Sequence, residues 1–218
     1  LKHSVTSLVV LIYINEGLPL YLSALCLYVV VVLIKGHMNK TILAIIGLFG
    51  IIDIFCMASL YYNTSMLTWM HANTYFMFIG TLFAAGSVIA LSITAFRVKA
   101  FVNDELAKRI VIGALVIVFL SVTLRMTIQP FYLEWMSAVI STNDGITFPH
   151  TLIIAYNETF GLRISAWLMS VLGILMMGYS VWKYRNAVFT SGLRMVLASS
   201  AIILIAEILN RFAFFIVK

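Results

Sequence analysis

Apolar runs, each long enough to cross a bilayer, alternate along this chain with short clusters of charge. Such runs need about 20 residues to cross ~30 Å of hydrocarbon. In that setting every backbone polar group must be satisfied within the protein, so helices are the expected solution. Of the 218 residues, 63% are hydrophobic and only 10% charged. A soluble domain, by contrast, is usually about a quarter charged. No stretch between the runs is long enough for a separate soluble domain. The expectation is an all-α, polytopic transmembrane bundle over residues 1–218, with the lipid bilayer as its first partner.

Six spans are expected, near residues 5–34, 41–62, 74–96, 110–128, 160–182 and 193–217. The first is long and carries Gly17-Leu18-Pro19, a signal for a bend or a tilt. The fourth is expected to stop before Gln129-Pro130, because the residue preceding proline is driven out of helical geometry. Residues 131–159, with Pro149 and an Asn143-Asp144-Gly145 turn signal, read as a long outer loop with interfacial or re-entrant pieces.

Basic residues set the orientation. Lys35 and Lys40 follow the first span, and Arg97, Lys99, Lys108 and Arg109 follow the third. Lys183, Arg185 and Arg194 surround the fifth connection. The second connection has none, and the fourth has only Arg125 near its start, with Glu134, Asp144 and Glu158 beyond. Loops one, three and five are thus cytoplasmic and the N-terminus is outside. The net charge of +6 belongs to this pattern, which argues against nucleic acid as a partner.

Ionisable residues inside spans are costly and point to function or to pairing. Glu16, Asp53, Arg125, Glu207 and Arg211 stand out on this ground. Glu207 and Arg211, four residues apart, are expected to pair on one helix. Asp53 has no local counter-ion and is a candidate for proton transfer. The four histidines lie at span ends or in loops, and Cys26 and Cys56 lack any ligand spacing. Neither a b-type haem nor a metal site is expected in this chain. His71 shares its outer loop with Tyr61, Tyr62 and Trp69.

Two segments resemble a known family. Met57-Ala58-Ser59-Leu60-Tyr61-Tyr62, followed by Ser65-Met66 and Trp69, is similar to the segment after the second helix of the membrane anchor subunit of anaerobic dimethyl sulfoxide reductase-type molybdoenzymes. Ala206-Glu207-Ile208-Leu209-Asn210-Arg211-Phe212-Ala213-Phe214-Phe215 resembles the ending of that subunit, with Asn210 in place of glycine and Phe215 in place of tyrosine. Leu33-Ile34-Lys35-Gly36, Pro130 and Trp135 add weaker likenesses.

The resemblance implies a subunit of the bacterial inner (cytoplasmic) membrane that oxidises menaquinol. Electrons would pass to an iron–sulfur electron-transfer subunit and on to a molybdopterin catalytic subunit. The chain departs from the family in two places: Tyr62 stands where the quinol-binding histidine is usual, and Leu82 near the usual acidic residue. It also shows about six spans where the family has about eight.

Tyr62 is then the expected partner of a quinone oxygen, with Tyr61 and Trp69 as aromatic walls and His71 as proton acceptor. Arg125, Glu207 and Arg211 are the expected charged groups at the same outer level, available to orient a headgroup or dock a partner. Two other readings compete. In one the chain is an anchor without a working quinol site. In the other it is a small ion- or proton-coupled transporter using Asp53, Glu16 and Glu207.

Overall fold

A computed structural model describes Tyr28 and residues 39–63, 66–97, 104–141, 150–151, 153–185 and 187–216. Among these are five helices long and apolar enough to cross a membrane. They are α1 (Lys40–Tyr62), α2 (Asn73–Arg97), α3 (Asp104–Ala138), α5 (Phe160–Lys183) and α6 (Leu193–Ile216), with a short α4 (Ile153–Glu158) before α5. The chain is a multi-pass helical membrane protein. Five of the six expected spans have their helix. The other, near residues 5–34, lies outside the described residues, as do Glu16, Pro19 and Cys26.

The chain divides into two compact units, Leu1–Thr64 and Ser65–Lys218. In the first, α1 starts at an Asn39 cap whose Oδ1 accepts the Thr41 N–H at 2.9 Å. That bond satisfies one of the amides a helix start leaves without a partner.

The second unit is a four-helix bundle. Its closest packing is α5 on α6, then α2 on α3, and the pairs α2–α6 and α3–α5 close the ring. One stripe of each helix is buried. On α3 it reads Ala107, Val111, Ala114, Val118, Val122, Arg125, Gln129, Tyr132 and Met136, in steps of three and four. On α5 it reads Arg163, Ala166, Ser170, Gly173, Met177 and Ser180. On α6 it includes Val196, Ser199, Ile203, Ala206, Asn210 and Ala213. On α5 and α6 the steps of three and four alternate, the 3.5-residue repeat of left-handed helix packing. The inward residues are mostly small or polar, while Leu, Ile and Phe predominate outside, as at Leu168, Leu172, Leu175, Ile208 and Phe212. Lipid tails solvate large apolar side chains as well as a protein core does, so burial favours small residues that let backbones approach. At Gly173 a Cβ would stand 2.5 Å from Ile203 Cγ1. The α5–α6 contact is therefore set by a missing side chain.

The fourth expected span is corrected at both ends. Helix α3 begins at Asp104 and runs through Pro130 to Ala138, where a stop before Gln129-Pro130 was expected. Proline inside a helix removes one backbone hydrogen bond and crowds the preceding turn. Here Pro130 is exposed, and the buried stripe continues past it at Tyr132 and Met136, which pack with Tyr156 of α4. The Tyr132 hydroxyl also donates to the Thr68 carbonyl at 2.8 Å. These contacts hold the last two turns helical against the local preference. At 1.5 Å per residue, the 35 residues of α3 extend about 52 Å, more than a hydrocarbon core. Beyond α3, Ile140–Ser141 pairs antiparallel with His150–Thr151. The expected outer loop at 131–159 thus opens with two helical turns and closes with α4.

Candidate functional site

The buried stripes change character along the bundle. Toward the connections at 98–103 and 184–192, the core is Val88, Leu91, Ala107, Val111, Val118, Val188, Phe189 and Val196. Toward the other end, which the basic-residue bias puts outside, the same stripes carry Asn73, Arg125, Gln129, Tyr132, Arg163, Glu207 and Asn210.

Arg125 and Glu207 form the deepest part of this polar end. Arg125 Nη1 donates to Glu207 Oε2 at 2.7 Å, and Nη2 donates to Oε1. Their side chains are 6% and 3% exposed. A guanidinium fork matches a carboxylate's two oxygens, the strongest geometry such a pair has. Space for the arginine comes from α2: a Cβ at Gly80 would lie 2.6 Å from Arg125 Cδ. Arg125 Nε also donates to the Ser121 carbonyl at 3.4 Å. Gly80 is seven residues into α2 and Glu207 nine from the end of α6, so the pair sits about 10 to 14 Å inside the helix ends.

The expected Glu207–Arg211 pair is not formed. Glu207 lies on the buried stripe facing Arg125, whereas Arg211 lies at its flank. The Arg211 guanidinium sits 4.1 Å from the centre of the Phe78 ring, and Nη2 reaches the Phe78 carbonyl at 3.5 Å. The inter-helix partner prevails because it offers two aligned hydrogen bonds between buried side chains.

From the ion pair, polar contacts continue outward. Gln129 Nε2 donates to Asn73 Oδ1 at 2.9 Å, and the Tyr156 hydroxyl donates to Gln129 Oε1 at 3.4 Å. The Arg163 guanidinium lies 4.3 Å from the centre of the Tyr156 ring. Its Nε donates to Thr159 Oγ1 and its Nη2 to the Ala213 carbonyl, both at 3.0 Å. Arg163 thereby ties the start of α5 to the end of α6. Among the described residues its charge meets neutral acceptors only.

His71 closes the outer end. Its ring packs on Tyr132 and Trp135, with centroids 5.3 and 5.2 Å away. Its Nδ1 accepts the Asn73 backbone N–H at 3.1 Å. Burial pulls its pKa below the ordinary 6.5, so the imidazole is neutral at neutral pH. With Nδ1 occupied as acceptor, the ring hydrogen resides on Nε2.

Trp69 stacks on Phe214 at 5.7 Å and donates its Nε1–H to the Phe214 carbonyl at 3.3 Å. Its role here is to fasten the outer connection to α6. Asp53, Tyr61 and Tyr62 belong to the first unit. Asp53 is 6% exposed and makes no ion pair among the described residues. Tyr61 is half-buried and Tyr62 exposed.

On the lipid side, α2 and α3 frame a groove of about 390 Å³ lined by Tyr75, Ile79, Phe83, Ile117, Leu120 and Leu124. Gly80 and Ser121 also line it. These are the two residues already against Arg125, so groove and ion pair share a wall.

Sequence reasoning missed Gln129, Tyr132, Tyr156, Arg163 and Asn210. Arg163 was within reach, since a charge four residues into a span falls under the same rule that singled out Arg125.

No family model, curated protein or solved structure matches this chain. The likeness to the reductase anchors therefore stands on its motifs.

Proposed function

We propose that this chain is the membrane anchor of a respiratory molybdoenzyme, where it oxidises menaquinol at its outer end. Quinol would become quinone, two electrons would go to an iron–sulfur partner subunit, and two protons would leave on the outer side. The observation that carries the reading is the α2–α3 groove. It opens where a lipid-soluble quinol resides, and its volume falls within the ~300–1,000 Å³ usual for small-molecule sites. Ser121 on its wall donates to the Ile117 carbonyl at 2.7 Å and keeps lone pairs that accept a quinol O–H. Tyr75 lines the groove four residues after His71, which places both at the outer end of α2. In this reading His71 takes up a proton at Nδ1 on releasing the Asn73 amide.

The test is purification from native membranes, followed by quinol-dependent electron transfer. Ile79→Trp and Leu120→Trp fill the groove, and His71→Gln removes the proton acceptor. The expected result is co-purifying iron–sulfur and molybdenum proteins, with turnover lost in the groove variants while the complex stays assembled. Full turnover in all three variants would leave an anchor without a quinol site. A lone oligomer without iron or molybdenum would support the transporter reading instead.

A further inference from the structure

A small cavity lies among Arg125, Gln129, Ser170, Asn210, Met77 and Trp167, with a volume of about 10 Å³. A cavity holds one water when it offers roughly 10–15 Å³ for the water's centre and two to four polar partners. This one is at the lower bound, the size of a single water. Its polar lining is generous. The Asn210 side chain belongs to a residue only 5% exposed and has no hydrogen-bond partner among the described residues. Ser170 Oγ donates to the Ala166 carbonyl at 2.9 Å and retains acceptor lone pairs. Gln129 spends Nε2 on Asn73 and accepts from Tyr156 only at 3.4 Å.

We infer that this cavity is a binding site for one internal water, held by Asn210 with Ser170, Gln129 and the edge of the Arg125 guanidinium. The water satisfies Asn210 and joins it, with Ser170 of α5, to the chain that runs from Glu207 and Arg125 through Gln129 to Asn73 and Tyr156. The inference is independent of quinol chemistry.

Met77 lines the cavity and is only 5% exposed, which makes it a reporter. X-ray radiolysis converts a tightly bound water into hydroxyl radical, which oxidises an adjacent methionine. Brief mixing with ¹⁸O-water beforehand separates a slowly exchanging water from bulk. The full chain in lipid nanodiscs should show Met77 oxidised with ¹⁶O, while Met177, wholly buried in the apolar core, stays unlabelled. Asn210→Leu fills the space and removes a polar partner, so Met77 labelling should fall to background. Asn210→Ser keeps a polar group and the room, so labelling should persist. Unlabelled Met77 in the wild-type protein overturns the inference without any variant. So does equal labelling in all three proteins.

Discussion

The two halves of the bundle share one geometry and differ in chemistry. Each buried stripe keeps its steps of three and four from end to end. In the half toward the connections at 98–103 and 184–192 the core is mainly Val, Ala and other apolar side chains, and cohesion is close packing. In the outer half the same positions hold Arg125, Gln129, Tyr132, Arg163, Glu207 and Asn210, and cohesion is hydrogen bonding. A packed apolar core tolerates the loss of one contact. A buried polar network does not, because each partner removed strands another group in a medium without water. The two halves should therefore respond differently to mutation.

The largest effect should fall on the ion pair. Glu207→Leu leaves the Arg125 charge buried and unpaired, an expected loss of about 3–5 kcal/mol. Arg125→Leu combined with Glu207→Leu should recover most of it, since two apolar side chains need no partners. Thermal unfolding in detergent of both singles and the double tests this. A double mutant as unstable as the sum of the singles would end the distinction between the halves.

The next effect belongs to the packed half of α5 and α6. Gly173→Leu drives a side chain into Ile203 and should cost about 1–3 kcal/mol as overpacking. Wild-type stability in the same assay would show that the helices can separate without loss. Tyr132→Phe then removes the bond to the Thr68 carbonyl, which should cost about 1 kcal/mol. Faster backbone hydrogen exchange near Thr68, and not near Val111, is the accompanying signature.

Acidification should loosen the outer half alone. The folded pKa of His71 is lowered by burial, so the unfolded imidazole binds a proton at higher pH than the folded one. The stability it contributes is complete above the ordinary value of 6.5 and is lost as pH falls below that toward the folded pKa. Protonation at Nδ1 also breaks the Asn73 amide bond. Melting scans at pH 7.5 and 5.5 should differ in the wild type and less so in His71→Gln. The smallest effect is expected at Ser180 and Ser200, whose buried hydroxyls have no hydrogen-bond partner among the described residues. Ser180→Ala and Ser200→Ala should be neutral or slightly stabilising. A substantial loss at either would place an undetected polar contact in the packed half.

The helical membrane architecture was legible in residue order alone, because apolar runs in lipid have few folds open to them. The spans near 41–62, 160–182 and 193–217 match their helices to within a residue or two. The end of α3 was not legible. Its proline carries a strong local stop signal, and the contacts that override it come from Thr68 and Tyr156, remote in sequence. The candidate site was half legible: Arg125, Glu207 and Arg211 stand out as charges within spans. Their pairing does not, since an arginine four residues away looks nearer along the chain than one 82 residues away.

What the order of residues determined by itself was the solvent. Long apolar runs demand lipid, and basic clusters orient the chain across it. What only the tertiary structure decided was which face of each helix turns inward, because lipid-facing and core-facing positions are almost equally apolar. Steric fit at Gly80 and Gly173, and the need of each buried polar group for a partner, made that choice.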